Sequence, residues 1–106
     1  MAKFLFEAKY NAAGAKAIAR EGGSARRAAI EKAAASVGGR LESFNFAFGG
    51  TDAFVIVELP DNVTAAAMAI AVGQSGLAST TTVVLLTPEE MDAAVKKNIS
   101  YRPPGG

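Results

Sequence analysis

Arg40-Leu-Glu-Ser-Phe44-Asn-Phe46-Ala-Phe48-Gly-Gly50-Thr-Asp52-Ala-Phe54-Val-Ile56-Val-Glu58-Leu-Pro60-Asp61 is the stretch on which the reading of this chain turns. Two runs rich in aromatic and β-branched residues flank a Gly-Gly pair, which predicts a β-hairpin, because glycine reaches the positive φ of tight hairpin turns. Pro60 closes the second strand, and Asp61 is placed to cap a following helix. With Gly49 and Gly50 as the turn, Phe48 faces Thr51, Phe46 faces Ala53, Phe44 faces Val55 and Glu42 faces Val57. A four-residue loop keeps the same parity. Alternation then puts Phe44, Phe46, Phe48, Ala53, Val55 and Val57 on one face, and Leu41, Ser43, Asn45, Ala47, Phe54, Ile56 and Glu58 on the other. The first face is core. The second mixes large apolar groups with polar ones, a pattern that calls for a cover rather than for water.

Upstream, Lys3 to Tyr10 alternates Phe4, Phe6, Ala8 and Tyr10 against Leu5, Glu7 and Lys9, which predicts a first strand. Asn11 is an N-cap for an alanine-rich helix from Ala12 to Arg20, weakened by Gly14 and broken by Gly22 and Gly23. Ser24 is the expected cap of a second helical segment reaching Val37. There Ile30, Ala33, Ala34 and Val37 form an apolar stripe, and Arg26, Arg27, Glu31 and Lys32 read as the solvated face. Gly38 and Gly39 stop it.

Downstream, Asn62 to Val72 has helical spacing and no charged residue, so it is expected to be buried on more than one side. Ser79 to Leu86 reads as a fourth strand. Thr87-Pro88-Glu89-Glu90 starts a last helix with a capping box, and Met91, Ala94 and Val95 are its expected buried stripe. The domain spans residues 1–98, and residues 99–106, with Pro103 and Pro104, form an extended tail.

Composition narrows the function. With 106 residues the chain has room for one core. It holds no cysteine and no histidine, so disulfide, thiol and imidazole chemistry are excluded, no metal or other cofactor is implied, and a reducing, cytoplasmic setting is favoured. Eleven basic and ten acidic residues give a net charge of +1 without long blocks of either sign, which argues against nucleic-acid binding. Val63 to Leu86 is interrupted by Gly73, Gly76 and several hydroxyl residues, so no membrane span is expected. No GxxxxGK[ST] loop occurs, and Gly73-Gln-Ser-Gly76 reads as a connector.

The order β-α-β-β-α-β plus a short helix predicts a ferredoxin-like α+β sandwich with a four-stranded antiparallel sheet. Both main helices then cover one face and leave the other bare. Leu5, Leu41, Phe54 and Ile56 are the large apolar groups expected there. At about 1.5 to 3 kcal/mol each when fully buried, they favour cover by about 6 to 12 kcal/mol before association costs. A homodimer with two sheets face to face is the expected solution, with larger assemblies left open.

Gly49-x-Thr51-Asp52 followed by Phe54-Val-Ile56-Val-Glu58-x-Pro60-Asp61 resembles the signature of the GYD-domain family, with Thr51 standing where the family pattern has tyrosine. Gly14, Gly38-Gly39 and the run from Gly76 to Glu90 are similar too. The resemblance implies a dimeric α+β barrel, and it brings no established activity or catalytic residue.

No motif specifies a reaction. Asp52, just after the turn, reads first as an acceptor for backbone N–H groups and second as a pocket acid or base. Glu7, Glu58, Asn45, Ser43 and Lys9 share the covered face, either as a polar network fixing sheet register or as part of a ligand site walled by Phe54 and Ile56. Three classes of function follow. The first is a homo-oligomer binding a small, partly apolar molecule at or near the sheet interface, through Ser43, Asn45, Phe54 and Ile56. The second is a cofactor-independent isomerase or oxygenase-like enzyme with Asp52, Glu7, Glu58 and Tyr10 as candidate groups. The third is a structural or partner-binding module.

Overall fold

Phe4, Phe6 and Ala8 recur at every second position, and the segment they define becomes one of the two inner strands of the sheet. In the computed structural model, which describes all 106 residues, this is β1 (Ala2–Tyr10). It is followed by α1 (Ala12–Glu21), α2 (Gly23–Ser36), β2 (Arg40–Phe46), β3 (Ala53–Leu59), α3 (Asn62–Gln74), β4 (Ala78–Leu85) and α4 (Pro88–Val95). The sheet order is β2-β3-β1-β4, antiparallel at every pairing. This is an α+β architecture consistent with a ferredoxin-like fold. The break expected at Gly22 and Gly23 falls at Gly22, which sits between α1 and α2 at φ 85°.

The core lies between the sheet and the helices: Phe4, Phe6 and Ala8 from β1, Ala53, Val55, Val57 and Leu59 from β3, Ala34 from α2, and Ala65 and Met68 from α3. Only 11 of 106 residues are buried, a small core for a chain of this length.

The hairpin register holds at Phe46 with Ala53 and Phe44 with Val55, then departs from expectation at a β-bulge. Leu41, not Glu42, pairs with Val57, and Ser43 pairs with Ile56. Glu42 is the extra residue. An unbulged ladder would aim its carboxylate under the helices, where nothing repays its lost hydration. The bulge turns Glu42 to the open face, where it meets Lys3 at 2.8 Å, and turns Leu41 to the core. Leu41 therefore does not belong with Leu5, Phe54 and Ile56.

The turn also differs. Ala47 N–H donates to the Asp52 carbonyl (2.8 Å), so the loop is Phe48 to Thr51, with Phe48 fully exposed rather than in the core. Neither Gly49 nor Gly50 has positive φ, because a four-residue loop does not demand it.

Glycine matters elsewhere. A Cβ on Gly39 would collide with the Glu58 carbonyl oxygen and lie 2.6 Å from Leu59 Cδ2, and one on Gly14 would collide with the Leu77 carbonyl oxygen. Gly14 is thus a point of close approach that seats α1 against the loop entering β4. Asn11 completes that joint by accepting from Gly14 N–H (2.9 Å) and donating to the Gly76 carbonyl.

Two further expectations are corrected. Gly22, not Ser24, is the N-cap of α2, and the helix starts early where the Phe46 ring lies against Gly23. The capping box of α4 forms as expected, but its stripe is not buried: Met91 and Val95 are exposed and the helix buries no residue. It projects from the protomer, as does the chain beyond it. The radius of gyration is 16.8 Å, against about 13 Å for a compact chain of this length. The outward side of α3 is likewise uncovered, with Val63 and Ile70 exposed.

Candidate functional site

The alanines that make α2 and α3 good helix formers also leave space beneath them. Ala29 and Ala33 of α2 and Ala71 of α3 face Phe6, Ala8, Val55 and Val57 of the sheet across a partly open cavity of about 240 Å³. Close-packed interiors rarely leave a void larger than a water, so a cavity of this size stands out from ordinary packing. Fourteen of its seventeen lining residues are hydrophobic. Arg26, Ser75 and Thr80 are the exceptions. The Ser75 hydroxyl is engaged locally, donating to the Val72 carbonyl and accepting from Leu77 N–H.

Arg26 is different. Its Nε is fully buried and has no hydrogen-bond partner, and no carboxylate forms a salt bridge with the side chain. Buried guanidinium nitrogens are normally paired, since an unpaired one forfeits its hydration. Its neighbour Arg27 is the solvated arginine of the pair, 3.7 Å from Glu31 one helical turn on. Arg26 is thus half-buried with its Nε out of water, where a wholly solvated side chain was expected. The signal was in the sequence: Arg26 precedes Ile30 by four and Ala33 by seven, on the same stripe.

Tyr10 is half-buried on the cavity wall. Burial pushes its phenol above the ordinary tyrosine value, with the Asp52 charge adding to the rise and the Arg26 charge opposing it. Asp52 holds this end of β1 from outside the cavity. Its Oδ2 accepts from Tyr10 N–H (2.8 Å) and its own N–H donates to the Ala8 carbonyl (2.8 Å). These are the backbone-tying bonds first expected of it.

The other candidate residues lie on the opposite side of the sheet. Glu7, Ser43, Asn45, Phe54, Ile56 and Glu58 share the open face by register. Glu58 accepts from Arg40 Nε, a bond that lowers its pKa below the usual carboxylate range. Leu5, Ile56 and Phe54 form an apolar band there with Val83 of β4, which pairs with Leu5; Phe54 and Val83 are 39% and 37% exposed. Tyr10 and Asp52 therefore stand apart from Glu7 and Glu58, with the sheet between the two groups. No group of three or more acidic residues could hold a metal ion, and no helix is long and apolar enough to cross a membrane.

A family model for the GYD domain matches residues 4–95. The chain belongs to the GYD-domain family. The match runs from β1 to the end of α4, so both the cavity and the open face lie inside the GYD domain. Comparison with curated proteins and with solved structures brings no match. Of the motif positions of this GYD domain, Asp52 ties the hairpin to β1, while Gly49 and Thr51 belong to the exposed loop and its base.

Proposed function

We propose that this GYD-domain chain works as a homodimer closed through its open sheet faces, each protomer binding a small apolar molecule in the cavity beneath α2 and α3. The observation that carries the binding half is the cavity itself, walled by apolar side chains in a domain with little other core. It moves the expected site from the sheet interface to the opposite, helix-covered face, where Phe6, Tyr10 and Phe44 rather than Phe54 are the aromatic wall.

The dimer half is supported by surfaces that one chain leaves uncovered. The band of Leu5, Phe54, Ile56 and Val83 is apolar, and at one end of the face Lys3, Arg40, Glu42 and Glu58 carry two charges of each sign, a set that can pair with its own two-fold copy. The projecting α4, with Met91 and Val95 exposed, suits an arm that lies against a partner. The cysteine-free composition fits a cytoplasmic setting.

Titration with octan-1-ol, followed through the methionine methyl resonances, tests the binding half. The Met68 methyl at the cavity is expected to shift and the Met91 methyl to stay. Equal perturbation of both, or none, contradicts it. For the dimer, sedimentation velocity at micromolar protein is expected to show Ile56→Lys as a protomer and Lys32→Glu as unchanged; a dimer that survives Ile56→Lys refutes the open face as its interface.

A further inference from the structure

From Arg26 we infer that the natural ligand is a small apolar acid, its hydrocarbon part in the cavity and its carboxylate on the guanidinium. This rests on the reading that the cavity takes a small molecule, and adds what that molecule must carry. The wall offers one charged group, Arg26, whose buried Nε has no partner in the protein, whereas the Ser75 hydroxyl is already engaged. A planar guanidinium pairs a carboxylate through two parallel N–H bonds, which is why arginine recurs where such anions are bound. Two neighbouring features favour the same charge. Arg26 lies near the N-terminus of α2, where the peptide dipoles add positive potential and no side chain caps the end. Tyr10, whose phenol is protonated at neutral pH, lines the same cavity and carries a further donor. A partly open cavity of about 240 Å³ has room for the tail of a small acid.

Octanoate and octan-1-ol have nearly the same tail and differ in charge. Isothermal titration calorimetry at neutral pH is expected to show octanoate binding about ten- to a hundredfold more tightly, the range of a charge-assisted hydrogen-bonded contact. Arg26→Gln is expected to remove that preference and leave octan-1-ol within about threefold of its wild-type affinity. In the wild type, octanoate and not octan-1-ol should shift the Arg26 Nε–H resonance, a readout that stands even where the substituted protein fails to fold. Equal binding of the two probes overturns the inference and leaves the apolar-cavity reading in place. Binding of neither overturns both. A preference for octanoate that survives in folded Arg26→Gln, or an unmoved Nε–H resonance, overturns the role of Arg26.

Discussion

Replacing Ala33 by leucine separates a binding cavity from an ordinary core. Ala33 sits on α2 at the cavity wall, and leucine is nearly as good a helix former, so the backbone has little reason to change. The three added carbons enter space that is already there. At about 0.8 kcal/mol per buried methylene they contribute about 2.4 kcal/mol, less about 0.5 to 1 kcal/mol of lost rotamer freedom, which leaves a gain of about 1.5 kcal/mol. For a domain of this size that raises the melting temperature by roughly 6 to 12 °C, read by circular dichroism with both proteins at one protomer concentration. The same side chain occupies volume the ligand needs, so octan-1-ol affinity is expected to fall at least about fivefold, the lower end of what overpacking costs. A protein destabilised by more than about 1 kcal/mol would mean that the site was already filled. One stabilised with its ligand response intact would mean that binding happens elsewhere.

Gly39→Ala drives a methyl into the Glu58 carbonyl and Leu59, and is expected to cost about 1 to 3 kcal/mol in urea unfolding. Gly50→Ala, which meets open space at ordinary φ, should stay within about 0.5 kcal/mol of wild type; the reverse order would refute the assignment of the turn. Asp61 caps α3 by accepting from the Thr64 N–H and hydroxyl, bonds that hold its pKa below the usual aspartate value. A lowered folded pKa gives stability present above the unfolded value and lost as pH falls through the folded one, so Asp61→Ala should be the less stable protein at neutral pH. The gap should close below about pH 4, and a gap independent of pH would show that the carboxylate charge plays no part.

Much of the fold was legible because it rests on local patterns. The period-two run of Phe4, Phe6 and Ala8, the helix stop at Gly38-Gly39 and the Thr87 to Glu90 capping box each state their structure within a few residues. The bulge at Glu42 was not legible from the hairpin alone. It is decided by what lies over the sheet, since a carboxylate opposite Val57 becomes costly only once the helices are there. Phe48 misled for a related reason: aromatic alternation continues past the last residue that pairs. The cavity is a tertiary property, set by how far the alanine-rich faces of α2 and α3 stand from the sheet. Arg26 lay on the apolar stripe in plain view, but charge outweighed position in its reading. The exposed stripe of α4 shows the opposite limit, since periodicity says which side of a helix is greasy and not which chain covers it.

Native mass spectrometry of gently prepared protein tests the central claim most directly. The account predicts a two-chain species, at twice the 10.8 kDa protomer mass, that carries a small organic molecule released on activation. A bare protomer of 10.8 kDa as the only species at micromolar concentration would contradict it.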